Sequence, residues 1–221
     1  MITLTKELVY TPMVRVYKNM LLSILTTFAT IFFVGTHFPS FTFLYNGAML
    51  WVTILLPLPA IFAVSSILQN CKSDALNYAA FLGFAVLMGL SLAPVVIMSP
   101  LELVGIAFGS AALLFTIMAI YGAYTKRDLS SWGSFLMVGL IALIIASFIN
   151  IFVLNSMLNL IISGITIIVF LGLTAYDVQS IQEMIRYEQN TGLELMGALL
   201  LYMNFINLFL SILRILSETN D

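Results

Sequence analysis

Long apolar runs, interrupted at short intervals by proline, asparagine or charged residues, divide the chain into seven segments at about 20–36, 48–68, 76–98, 103–124, 135–154, 158–178 and 195–216. Each approaches the roughly 20 apolar residues that a helix needs to cross a hydrocarbon core of about 30 Å. Inside that core the backbone finds no water, so its polar groups must bond within the segment, and a helix does this. The interruptions are Pro39 with Asn46, Lys72 with Asp74, Pro100, Lys126-Arg127-Asp128, Asn155 and the stretch from Gln182 to Gly192. Residues of these kinds end helices or seek water. The pattern predicts an all-α integral membrane protein, a seven-transmembrane-helix bundle. It forms a single membrane domain over residues 1–221, with a short cytoplasmic N-terminal segment of about residues 1–17.

Composition agrees with the pattern. Hydrophobic residues make up 62% of the 221 positions and charged residues 8%, against about 25% charged in a soluble domain. The longest internal connection is about 16 residues, Gln179 to Glu194, too short for a globular domain, so function must lie within the bundle. Lys6, Arg15 and Lys18 precede the first run, and no small-residue cleavage pattern follows it. That run is therefore read as a retained anchor.

Charge sets the orientation. Counting alternate loops, Lys6, Arg15, Lys18, Lys72, Lys126, Arg127 and Arg186 share one side, and only Arg214, of the eight basic residues, lies near the other. Positive charge favours the cytoplasm, which places the N-terminus inside and the C-terminus outside. Tyr17, Tyr121, Tyr124 and Trp132 then sit near the cytoplasmic interface and Trp51 near the outer one, as anchors. This orientation is opposite to that of rhodopsin-like receptors, and the seventh run has no lysine for a retinal Schiff base. A net charge of −2 without a basic cluster gives no case for nucleic acid. Cys71, the single cysteine, cannot form an intramolecular disulfide and is read as a bystander.

Asp177 is the one ionisable residue well inside an apolar run. With the sixth helix ending near Gln182, its carboxylate lies roughly 7 Å below the cytoplasmic surface. A carboxylate at mid-membrane costs about 2.5 kcal/mol or more, so such residues face the bundle and mark ion or proton routes; the plainer alternative is a structural hydrogen-bond acceptor. Ser163, Thr166, Thr174 and Ser180 fall within about 60° of it around the helix. On the seventh helix Asn204, Asn207, Ser211 and Arg214 follow i, i+3, i+7, i+10, an arc of about 80° that lines the interior or hydrogen-bonds neighbouring helices, with Arg214 snorkelling to the outer interface. Gly105 and Gly109 make a GxxxG suited to close helix packing, expected within the monomer. Pro57, Pro59 and Pro94 should kink their helices.

Other chemistry is thin. His37 is the sole histidine, and there is no Cys/His metal spacing, Walker motif or GxSxG elbow. A serine intramembrane hydrolase lacks its bundle histidine, an aspartyl one its second buried aspartate. The chain is therefore read as a non-enzyme without a cofactor.

Three segments carry a resemblance: Tyr121-Gly122-Ala123-Tyr124-Thr125-Lys126-Arg127-Asp128-Leu129-Ser130, Gly172 to Gln179 with Thr174-Ala175-Tyr176-Asp177, and Leu201-Tyr202-Met203-Asn204-Phe205-Ile206-Asn207-Leu208-Phe209-Leu210. In these the chain resembles a bacterial member of the Bax inhibitor-1, or transmembrane Bax inhibitor motif, family. The resemblance implies two layers of three helices around a central seventh helix. It also implies a pH-sensitive calcium leak, in which an aspartate of the sixth helix pairs with one of the seventh near the cytoplasmic mouth. Asp177 matches the first acid; Asn204 stands where the family motif usually has the second.

Two nearby carboxylates share a proton and can sense acid, whereas an asparagine does not titrate. Its amide resembles a permanently protonated partner for ionised Asp177, so a weaker or acid-shifted pH response is expected. Calcium prefers several oxygen ligands, which leaves at most a weak calcium contact at Asp177. The expected function is thus a passive calcium or cation leak of a bacterial inner membrane, gated and pH-sensing at Asp177 and Asn204, with Thr174, Ser180, Asn207 and Ser211 as polar lining. The expected partners are membrane lipid and the cation. The competing readings are a proton-coupled transporter and a non-transporting regulator of stress response or quality control that binds other membrane proteins.

Overall fold

The computed structural model describes residues 2–37, 41–153 and 155–220, the side chains of residues 2–11 and Ala48 excepted. In chain order it contains α1 (Ile2–Thr36), a 3-10 turn (Thr42–Tyr45), α2a (Gly47–Leu55), α2b (Pro57–Asn70), α3 (Asp74–Met98), α4 (Leu101–Tyr124), α5 (Ser130–Val153), α6 (Ser156–Tyr187) and α7 (Thr191–Asn220). Seven spans long and apolar enough to cross a membrane lie among them, the second formed by α2a and α2b together. All seven expected segments are present, and no strand occurs among the described residues. Pro39 and Leu154, expected at a break and at a span end, lie outside the described residues, as does the side chain of Lys6.

Local chemistry sets the helix ends. Ser73 caps α3 by accepting the Leu76 N–H, and Asp74 adds negative charge in the first turn. Pro57 stands at the first position of α2b, where its missing N–H costs least, and splits the second span as its position suggests. Pro94 lies inside α3, which runs unbroken from Asp74 to Met98. Asn46 precedes α2a, where Gly47 takes φ 59°, a backbone state that glycine adopts without strain.

One expectation is corrected. The long connection expected from Gln179 to Glu194 shrinks to Glu188–Asn190, because α6 continues to Tyr187 and α7 starts at Thr191. Gln182, Glu183, Met184 and Arg186 are good helix formers, and polarity ends a membrane span without ending its helix. Asn190 accepts the Leu193 N–H at 2.8 Å and so caps α7.

The chain forms two compact units, Met1–Ser99 with Met184–Tyr202 and Pro100–Glu183 with Met203–Asp221. In the first, α3 packs along α1 and also meets α2a and α2b. Thr27 donates to the Ala85 carbonyl at 3.0 Å, and its hydroxyl meets that of Tyr202 at 2.7 Å. Arg15 Nε donates to Glu194 Oε2 at 2.8 Å, which joins α1 to the start of α7. In the second unit Phe108 and Phe115 meet Phe205 edge-on, with ring centroids 5.5 and 6.0 Å apart.

Burial separates the spans. In α7, 56% of the apolar window is buried, against 11% in α5. By this measure α7 is the most buried span and α5 the least. Gly105 and Gly109 are exposed, and among the described residues nothing lies within reach of a Cβ at either. Contrary to expectation, the GxxxG does not serve packing within the monomer: α4 uses Ala107, Ala111, Phe115, Ala119 and Gly122 as its buried face instead.

Candidate functional site

Asp177 and Asn204 touch. Asn204 Nδ2, on α7, donates to Asp177 Oδ2, on α6, at 2.6 Å. Asn204 is buried and Asp177 half-buried. The extended helices remove most of an apparent mismatch in depth. Measured from Tyr187 and Thr191, the two residues lie about 15 and 20 Å along their helices, a difference that side chains and tilt absorb.

The surroundings hold this part of α6 firmly. Gly122 of α4 lies so close to the backbone of Ala175 that any side chain there would collide with it. A Cβ on Gly133 of α5 would stand 2.5 Å from the Tyr176 ring. Two residues beyond Asp177, Gln179 accepts the Leu129 N–H at 2.8 Å and donates to the Arg127 carbonyl at 2.9 Å. One amide side chain thus ties α6 to the α4–α5 loop, where Leu129 is fully buried. The three sequence segments singled out above therefore form one physical cluster: 121–130 clasps 172–179, and 201–210 supplies Asn204.

A family model described as inhibitor of apoptosis-promoting Bax1 matches residues 10–221. The chain belongs to the Bax inhibitor-1 family. It is 31% identical over 211 residues to the inner membrane protein YbhL of Escherichia coli K12, covering 93% of this chain and 90% of that one. It is 35% identical over 181 residues to an uncharacterized protein of Borreliella burgdorferi, covering 80% and 78%. A protein of Deinococcus radiodurans is 36% identical over 172 residues, covering 76% and 74%.

In this member of the Bax inhibitor-1 family the carboxylate meets an amide, so the pair titrates at Asp177 alone. No group of three or more His, Cys, Asp or Glu among the described residues is placed to hold a metal ion. Thr174, buried, gives its hydroxyl to the Phe170 carbonyl at 2.7 Å and so is spent within α6. Ser163 is fully buried, and its hydroxyl meets no partner among the described residues. Ser211 is buried, and Asn207 donates to the Met203 carbonyl at 2.8 Å. Ser180, expected to line the interior, is exposed. It lies about 60° around α6 from Asp177, at the edge of the arc, where the helix surface turns outward.

Two polar residues escaped the sequence reading. Asn159 donates through Nδ2 to Glu218 Oε1, joining α6 and α7 again near their other ends. Asn159 precedes Asp177 by five helical turns and Glu218 follows Asn204 by nearly four, so both extend the same two arcs. The periodicity was the available signal, but Glu218 lies past the end of the apolar run. A polar seam thus joins the facing sides of α6 and α7. Its two closed contacts lie about 21 Å apart along α7, most of a hydrocarbon thickness of about 30 Å.

Proposed function

We propose that this protein is a passive cation leak of a bacterial inner membrane, with calcium the leading cargo, the N-terminus cytoplasmic and the C-terminus outside. The observation that carries this reading is the Asp177–Asn204 contact at one end of a polar seam between α6 and α7. Eleven polar positions lie along the two arcs, Asn159, Ser163, Thr166, Thr174, Asp177 and Ser180 on α6 and Asn204, Asn207, Ser211, Arg214 and Glu218 on α7. A carboxylate in such a place marks an ion route by default. Asp177 acts as the gate: ionised, it holds Asn204 through a charge-assisted bond and offers a cation one anionic oxygen pair; protonated, it loses the charge and weakens the bond. The flux is then pH-dependent through one group, less steeply than an acid pair would give. The positive-inside bias and the inner-membrane location of the Escherichia coli relative support the placement.

The test is calcium entry into liposomes holding the purified protein at pH 6 and pH 8, for the native chain and Asp177→Ala. Flux that exceeds empty liposomes and changes on losing Asp177 supports the leak. No flux at either pH removes it. One observation favours a second reading, a non-transporting regulator: the exposed Gly105 and Gly109 leave a face of α4 free for another membrane helix. That reading requires a cellular phenotype that survives Asp177→Asn.

A further inference from the structure

A second polar feature lies in the same unit, at the end of the bundle away from the α6–α7 turn. There a cavity of about 470 Å³ opens among the end of α5, the start of α6 and the end of α7, lined by Asn150, Asn155, Ser156, Asn159, Arg214 and Glu218. Its rim is built by hydrogen bonds. Asn155 Oδ1 accepts the Leu158 N–H at 2.9 Å and caps α6, while Asn150 Oδ1 accepts the Asn155 N–H at 3.2 Å. Arg214 and Glu218 stand four residues apart on one face of α7, with Cβ atoms about 6 Å apart.

Their charges are not joined. Arg15–Glu194 is the one ion pair within 4 Å among the described residues, and Arg214 feels Glu218 only at longer range. Glu218 Oε1 takes the Asn159 amide, but its other oxygen, Oε2, is buried and meets no donor among the described residues. A buried carboxylate oxygen without a donor is costly. A purely anionic guest would face Glu218 and a purely cationic one Arg214. A guest carrying both charges a few ångströms apart satisfies the two together, and the surrounding amides supply neutral donors and acceptors.

We propose that this cavity binds a zwitterionic group, its anionic part on Arg214 and its ammonium on Glu218. Two sources share that chemistry, the phosphoethanolamine headgroup of a lipid and a free amino acid. The site is separate from the Asp177 gate and stands whether or not the protein conducts ions.

The first arm of the test places the purified chain in nanodiscs of mixed phosphatidylethanolamine and phosphatidylglycerol and counts retained lipids by native mass spectrometry. Phosphatidylglycerol keeps the phosphate and lacks the ammonium. A lipid site predicts retention of phosphatidylethanolamine about tenfold over phosphatidylglycerol, as expected for one charge-assisted contact. Glu218→Gln, which still accepts from Asn159, should bring that ratio near one. Arg214→Gln should weaken both lipids. The second arm titrates detergent-purified protein with alanine and with glycerophosphoethanolamine; binding here alone, lost in both variants, assigns the site to a solute. Equal retention of the two lipids together with no solute binding overturns the proposal, as does any binding that neither variant alters.

Discussion

The two halves of α7 carry polar side chains in different company. In the first half, within the unit of Met1–Ser99 and Met184–Tyr202, the buried Glu194 meets Arg15, and Tyr202 meets Thr27, which in turn donates to a carbonyl of α3. In the second half Asn204 meets Asp177, a carboxylate against a neutral amide. The first arrangement compensates charge with charge and closes its hydrogen bonds. The second sets a carboxyl group against a neutral amide, with no Lys or Arg ion-paired to it among the described residues. The first pair balances a carboxylate with a guanidinium, whereas the second satisfies a carboxyl oxygen with an uncharged amide, and this difference is what the proposed cation route rests on.

The comparison breaks most visibly at Arg15. Arg15→Ala strands the buried Glu194, and thermal unfolding in detergent should show a loss of about 2–3 kcal/mol, below the full value for a buried pair because Arg15 is half exposed. The pH 6 to pH 8 flux ratio should survive. Asp177→Asn should do the reverse, with stability kept within about 1 kcal/mol, because the cost of the membrane charge and the loss of its hydrogen bond offset each other. The flux ratio in the same liposomes should collapse to one. A large stability loss in Asp177→Asn would make the residue a structural acceptor and erase the contrast.

Asn204→Asp sharpens the contrast by supplying a second acid. Two coupled carboxylates titrate in separate steps, so the flux ratio between pH 6 and pH 8 should grow about threefold or more. An unchanged ratio sinks the idea that Asn204 blunts pH sensing. On the closed side, Tyr202→Phe removes one hydroxyl while Thr27 keeps its carbonyl acceptor, and the melting curve should report about 1 kcal/mol. The smallest effect belongs to Asp128 in the α4–α5 loop. The Ser130 backbone N–H, then its hydroxyl, holds this carboxyl below the usual carboxylate range. A depressed value gives stability that is present above the ordinary range and fades as pH falls through the lower one. Asp128 is therefore charged throughout pH 6–8, and Asp128→Asn should leave the flux ratio unchanged.

Hydrophobic length and charge distribution made the seven spans legible, because the membrane leaves so few ways to bury a backbone. Helix ends were harder to read where Gln182 to Tyr187 continue α6 beyond its apolar run. Asp177 was visible as an ionisable residue in an apolar run and Asn204 as part of a polar arc. Gln179 was not, since nothing in a lone glutamine indicates that the Arg127 carbonyl and Leu129 N–H stand opposite it. The GxxxG misled for the same reason: spacing defines a face, not what covers it. Glu218 lay on the right arc but beyond the hydrophobic run that drew attention to that arc.

The sequence by itself determined the helical membrane class, the number of spans and the arcs on which polar groups stand, because these follow from local periodicity and from the cost of polarity in lipid. Which arcs face one another was decided only by the tertiary structure. Asp177 on Asn204, Asn159 on Glu218 and Gln179 on the Arg127–Leu129 loop join residues 27 to 59 positions apart by helix tilt, register and close approach at Gly122 and Gly133, and these depend on how all the neighbouring side chains pack at once.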